Sequence, residues 1–294
     1  MIIEIKIDKN FDINSFYENI FSENYINKRG FVKKVIFRWY PKLEENLNNT
    51  TDTETRKKII YDYIDSLYTK YDYKVQTITQ NLKSLFKKNK EKIIDGLGQT
   101  MDFDEQNIPH IIIIPSFKPN SSFGTQRIIL SIALEIFKNQ AKPYLDIFIH
   151  EITHIIWNQK IGKIYDTVGK LGSLAHEDLK EIITPIIMRD QVFKKILQSE
   201  YMKNANEKQQ LLNININGKI YNMVDYFQSI YKKMKKIGNS FEEIMKEFVK
   251  LFLEIEDQII AKHKIYNEFG SSSNDKEISK KNLEDKGYLD PIIL

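Results

Sequence analysis

The alternation of apolar and charged residues from Met1 to Asp8 predicts a strand at the start of the chain. The period then lengthens to that of a helix. Residues 14–28, 31–47 and 53–95 carry apolar side chains at helical spacing, among them Phe31, Val35, Ile36 and Trp39, then Ile60, Ile64, Leu67 and Tyr71. Gly30 and Pro41 interrupt this region, and Gly96 with Gly98 closes its long last stretch. Between residues 108 and 136 the period falls to two. Ile108 to Pro115 reads as a short buried strand, Pro119 to Gly124 as a turn region, and 126–136 as a two-faced strand, the pair forming a β-hairpin. From Pro143 the helical period returns. A glycine-containing loop over 162–174 is expected next, then helices from about 185 to 266, with Phe241, Ile244, Met245, Phe248, Val249 and Phe252 marking a long amphipathic one. The segment 270–275 reads as a loop and the last residues as a loosely tied tail.

The pattern predicts an α+β protein, predominantly helical, in three regions. Residues 1–100 form a mostly helical N-terminal region, 101–190 a central core with a small β-sheet or hairpin, and 191–294 a C-terminal helical region with its tail. No internal repeat is visible. The many aromatic residues of the helical parts read as packing.

Within the helix that follows Pro143 lies His150-Glu151-Ile152-Thr153-His154, an HExxH pattern. The i, i+4 spacing places both imidazoles on one face, one turn apart, where they can grip the same metal ion. Glu151 then stands beside the metal, placed to take a proton from a water on it. Leu145, Phe148, Ile149, Ile152 and Ile156 make one apolar stripe, while Ile147, His150, Glu151, His154 and Asn158 run along another. The histidines are therefore expected to face a cleft. The competing reading is a buried helix whose histidines are hydrogen-bonded to the core or solvated.

Zinc wants a third protein ligand and an open position for water. The metzincin pattern is excluded, because its glycine and third histidine would fall at Trp157 and Lys160. A carboxylate from the next charged helix is left, and Glu177 and Glu181, four apart, share a face there. One could bind zinc and the other orient a histidine; His176 and Asp178 point elsewhere on the turn. Pro185 cannot donate to the Glu181 carbonyl, so a kink, or a restart with Thr184 as cap, is expected.

HEITH followed by LKEIITPIIMRD resembles the gluzincin metallopeptidases, whose third ligand is a glutamate on a later helix. More narrowly it resembles bacterial proteins with an HExxH helix and a downstream L-[KS]-E segment. The resemblance covers about residues 108–190 and implies a zincin-like core holding one Zn²⁺ per chain through His150, His154 and Glu181, with Leu179, Lys180, Ile183 and Thr184 as the matching neighbours. It further implies that the 126–136 strand, beside the zinc, could pair with the backbone of an extended substrate; the alternative is a plain structural strand covering the core. Glu151 would be the general base of peptide hydrolysis. Tyr165, His176, Tyr221, Tyr226, Tyr231 and His263 are the candidates for stabilising the oxyanion, and none is preferred.

Composition adds limits. With 41% hydrophobic and 29% charged residues the chain is of ordinary globular type, and its apolar runs are too short to span a bilayer. Without cysteine there is no disulfide and no thiolate ligand. No signal peptide is visible, so a cytoplasmic protein is expected. Net charge is +4, yet 44 basic residues are interleaved with 40 acidic ones and arginine is scarce, which argues against nucleic-acid binding. The expected function is a zinc peptidase acting on a polypeptide substrate, with oligomeric state open. The alternatives are a non-catalytic or regulatory zincin-fold protein that binds a partner, and a helical nucleic-acid-binding or scaffold protein in which HExxH is coincidental.

Overall fold

The computed structural model describes residues 1–22, 32–197 and 212–265. The end of the expected 14–28 helix, the 270–275 loop and the tail lie outside these residues. The described residues are mostly helical with two small sheets, as the α+β pattern predicts. Contacts gather it into two compact units, Met1–Glu91 with Glu105–Glu151, and Lys92–Asp104 with Ile152–Leu294.

The first unit is built on a four-stranded sheet. Strand β1 (Ile2–Ile5) pairs in parallel with β2 (His110–Ser116), and β2 in parallel with β4 (Arg127–Ser131). The two-residue β3 (Ser122–Phe123) lies antiparallel to β4, giving the order β1-β2-β4-β3. Ile111, Ile113 and Ile114 are fully buried, as the continuous apolar run of a covered parallel strand requires.

This sheet corrects two expectations. The 108–115 and 126–136 segments are parallel neighbours and form no hairpin with each other. The second strand also stops at Ser131, where β2 ends: Ser116 and Ser131 are register partners, and the Ile132 amide donates to the Ser116 carbonyl. Beyond that point no partner strand is available, and Ala133, Leu134 and Glu135 are good helix formers. Residues Ala133–Lys138 accordingly turn into helix α6, closed by Asn139 in the left-handed conformation.

Around the sheet lie α1 (Lys9–Phe21), α2 (32–39), α3 (Pro41–Asn48), α4 (Thr53–Lys70) and the first two-thirds of α5 (Asp72–Met101). Asp8 caps α1 and Asp52 caps α4, each accepting from a backbone amide three residues on. Tyr40 packs edge-on against Phe16, Tyr63 and Phe137, and Tyr68 edge-on against Phe117; Phe16, Tyr40, Tyr68 and Phe117 are core, with Tyr63 and Phe137 partly exposed beside them. Asp12 of α1 is fully buried and accepts from the Ser116 hydroxyl, the Phe117 amide and the Tyr68 hydroxyl. Burial pushes its pKa up, while those donors pull the other way.

The long helix expected over 53–95 breaks at Tyr71, and its second part runs through Gly96 and Gly98 to Met101. Gly96 is a packing glycine: a Cβ there would sit 2.6 Å from the buried Phe193 ring.

The second unit contains most of α7 (Tyr144–Val168), then α8 (Ser173–Met188), a hairpin of β5 (Asn213–Ile216) and β6 (Lys219–Asn222), α9 (Met223–Lys236) and α10 (Phe241–Ile265). Phe227 of α9 meets Phe248 and Phe252 of α10 at 4.9 and 4.8 Å between ring centres. The hairpin corrects the continuous helical reading of 185–266. Its turn, Asn217-Gly218, has positive φ at both residues, the geometry an Asn-Gly pair favours. The loop expected over 162–174 is likewise shorter, since α7 reaches Val168 and Gly169 ends it with φ 100°.

Candidate metal centre

Helix α7 carries the HExxH residues on one continuous stretch. Its first ladder bond runs from the Ile147 amide to the Pro143 carbonyl, so Pro143 sits where its missing N–H costs nothing. The expectation that the histidines turn onto a separate, open face is not met. From Leu145 to Trp157 the helix is covered on almost every side: Phe148, Ile149, Ile152 and Trp157 are fully buried, and Glu151 and His154 are buried with them. His150 is partly exposed, as is Ile147 one residue short of a turn before it. Of the three residues of the cluster, His150 and Glu181 are partly exposed and His154 is buried.

Helix α8 supplies the third group. His150, His154 and Glu181 each offer a ligand atom, and these atoms lie within 4.8 Å of one another. His154 Nε2 stands 3.6 Å from Glu181 Oε1. Two ligands held about 2.0–2.1 Å from a tetrahedral zinc are separated by about 3.4 Å, so this pair is spaced as metal ligands are. Two imidazoles and one carboxylate leave a fourth position for water, the donor set of a catalytic zinc site. These residues fit the ion.

Glu177 points elsewhere. It is half exposed and forms an ion pair with Lys180 on its own helix. Pro185 does not break α8, which continues from Ser173 to Met188. The Thr184 hydroxyl reaches back to the Lys180 carbonyl at 3.4 Å, and the Arg189 amide donates to the Pro185 carbonyl. The helix thus carries the proline with its ladder resumed on the far side.

Helix α10 braces α8 at two points. The Gly172 amide, at the start of α8, donates to Glu256 Oε1 at 2.6 Å, and a Cβ on Gly172 would lie 2.6 Å from the same oxygen. Asp178 Oδ2 meets His263 Nε2 at 2.6 Å, with both side chains almost wholly buried. Asp178 is one turn before Glu181, so the second brace fixes the part of α8 that presents the ligand. No spacing in the sequence marks this pair, because Asp178 and His263 are far apart along the chain.

The other candidates have different surroundings. His176 accepts from the Trp157 indole N–H at 3.3 Å and packs against Tyr165; burial holds its pKa below the usual histidine value. Burial, with Glu177 and Glu256 nearby, pushes the Tyr165 hydroxyl up. Tyr231 is buried near the Thr100 carbonyl and Asp190, and Tyr221 packs on Tyr226. His110 is paired with Glu4 at 2.9 Å on the surface of the first unit. Among the described residues no helix is long and apolar enough to cross a membrane.

Comparison of the chain with protein-family models, with curated proteins and with solved structures finds no match.

Proposed function

We propose that this chain is a zinc-dependent hydrolase that cleaves peptide bonds, with His150, His154 and Glu181 as metal ligands and Glu151 as general base. The convergence of those three ligand atoms within 4.8 Å carries the proposal. Held by these residues, zinc would supply Lewis-acid chemistry, making water a better nucleophile near neutral pH and polarising a carbonyl.

Glu151 is the neighbour of one ligand and three residues before the other, so its carboxylate belongs at the same end of the site. It accepts the proton of the attacking water and passes it to the leaving nitrogen. Its low exposure, 8%, keeps bulk water from competing for that proton. Peptide rather than ester chemistry follows from the resemblance of HEITH and LKEIITP to gluzincin segments. One part of that resemblance changes. β4 has neighbours on both sides, so it offers no free edge to a substrate backbone.

Elemental analysis of purified protein should show about one zinc per chain. Glu151→Gln should keep that zinc and lose hydrolysis of a peptide library. Absence of stoichiometric zinc, or a Glu151→Gln variant as active as the unaltered protein, would sink the proposal.

A further inference from the structure

The sheet of the first unit has an open edge at β1. The Ile2 amide donates to the Pro109 carbonyl and the Lys6 amide to the Ile113 carbonyl. Successive residues of a strand face opposite sides, so residues 2, 4 and 6 turn their backbone groups to β2. The N–H and C=O of Ile3 and Ile5 therefore project outward, and among the described residues nothing pairs with them. Ile2 on this edge is 64% exposed.

Beside this edge runs a groove of about 560 Å³. Its second wall is α5, which contributes Lys83, Phe86, Lys87 and Lys90. Spacing of four and three residues puts the three lysines on one stripe. The stripe and β1 each extend about 10 Å, at 1.5 Å per helical and about 3.3 Å per strand residue. None of the three lysines has an ion-pair partner among the described residues. Glu4, the one acid among the described residues of the wall, is engaged with His110.

We propose that this groove binds an extended acidic segment of a partner protein, which adds to the sheet as a strand beside β1. Main-chain bonds to Ile3 and Ile5 supply the pairing. Carboxylates on alternate residues, about 6.6 Å apart, meet the lysine stripe, where Lys83 and Lys87 are separated by about 6 Å of helix. The groove lies wholly within the first unit, and the proposal holds whether or not the chain is a hydrolase.

The test uses the full chain and a fluorescein-labelled octapeptide of alternating valine and glutamate, read by anisotropy. The peptide should bind, more weakly as salt is raised, and its valine–lysine counterpart should not. Lys83→Glu/Lys87→Glu/Lys90→Glu should weaken binding at least tenfold. Ile3→Pro removes an outward N–H while sparing the ladder to β2, and should also weaken binding at least tenfold. Because that variant could fail to fold, a fully N-methylated peptide tests backbone pairing on unaltered protein and should not bind. In the complex, the Ile3 and Ile5 amides should be protected from hydrogen exchange. Binding of the N-methylated peptide as tight as that of the parent would overturn strand addition. So would an acidic peptide that does not bind, a lysine peptide that binds equally, or preferential binding of a single-stranded oligonucleotide.

Discussion

Glu181 and Glu177 sit one turn apart on α8, and replacing each by glutamine tests the metal centre at a single atom. Glu181 Oε1 is 3.6 Å from His154 Nε2, close to the separation of two zinc ligands. Glu177 is 55% exposed and spends its charge on Lys180. Zinc bound by four ligands is worth about 10–16 kcal/mol in small structural sites, so one ligand carries roughly 2.5–4 kcal/mol. Glu181→Gln should then weaken zinc binding by about 10²–10³-fold, since 1.4 kcal/mol is about a factor of ten. Glu177→Gln should stay within about twofold, because Glu177 is turned to Lys180 and gives no ligand atom to the His150–His154–Glu181 cluster. The affinities are measured by calorimetric titration of metal-stripped protein against zinc in a competing chelator. Thermal melting gives a second reading: zinc at about 1,000 times its dissociation constant adds about 4.1 kcal/mol to the unaltered protein. That protection should largely disappear in Glu181→Gln. A Glu181→Gln variant that binds zinc as tightly as the unaltered chain, or a Glu177→Gln variant equally weakened, would refute the assignment.

Other consequences concern the framework. Asp178→Ala leaves His263 without its buried partner and should cost about 3–5 kcal/mol in urea unfolding, with a non-additive cycle against His263→Ala; additive effects below about 1 kcal/mol would show that the pair does not brace α8. Tyr68→Phe removes one donor to the Asp12 carboxylate and should cost about 1.5–3 kcal/mol by the same assay. Asp12 has a raised pKa in the folded state, so its contribution is most favourable below the ordinary carboxylate value of 3.8 and is lost as pH rises through the raised one. Asp12→Asn should therefore gain in melting temperature relative to the unaltered chain as pH rises from the ordinary carboxylate value of 3.8 through the raised one, and a difference that does not vary with pH would count against this. Gly96→Ala drives a methyl into Phe193 and should cost about 1–3 kcal/mol from overpacking, whereas Gly162→Ala, with open space around it, should gain up to about 1 kcal/mol from helix propensity. Equal effects at the two glycines in chemical denaturation would contradict the packing role of Gly96.

The local features of the site were legible because they depend on neighbours three or four residues away. The i, i+4 spacing of His150 and His154 puts them on one helix face whatever surrounds it, and the same holds for Glu177 and Glu181. The strand at Ile2–Ile5 is likewise local. The Asn217-Gly218 turn was a local signal too, and it marks the 213–222 hairpin where a helix was expected.

What needed the tertiary structure involved competition between distant groups. Residues 132–136 fit either period, and the loss of a partner strand beyond Ser116 turned them into helix. Parallel pairing of β2 with β4 could not be read from two apolar runs joined by a turn-rich segment, because that composition suits a hairpin as well. The burial of α7 on almost all sides hid the contrast between its stripes. Choosing Glu181 over Glu177 from the residues alone was also out of reach: both share a helix face, and only the approach of α8 to the HExxH turn places one carboxylate at 3.6 Å from His154 while the other meets Lys180. A helix's own period sets which side chains lie together on its surface. Which of them meets a second helix is set by packing across the whole domain, and at this site packing made the choice.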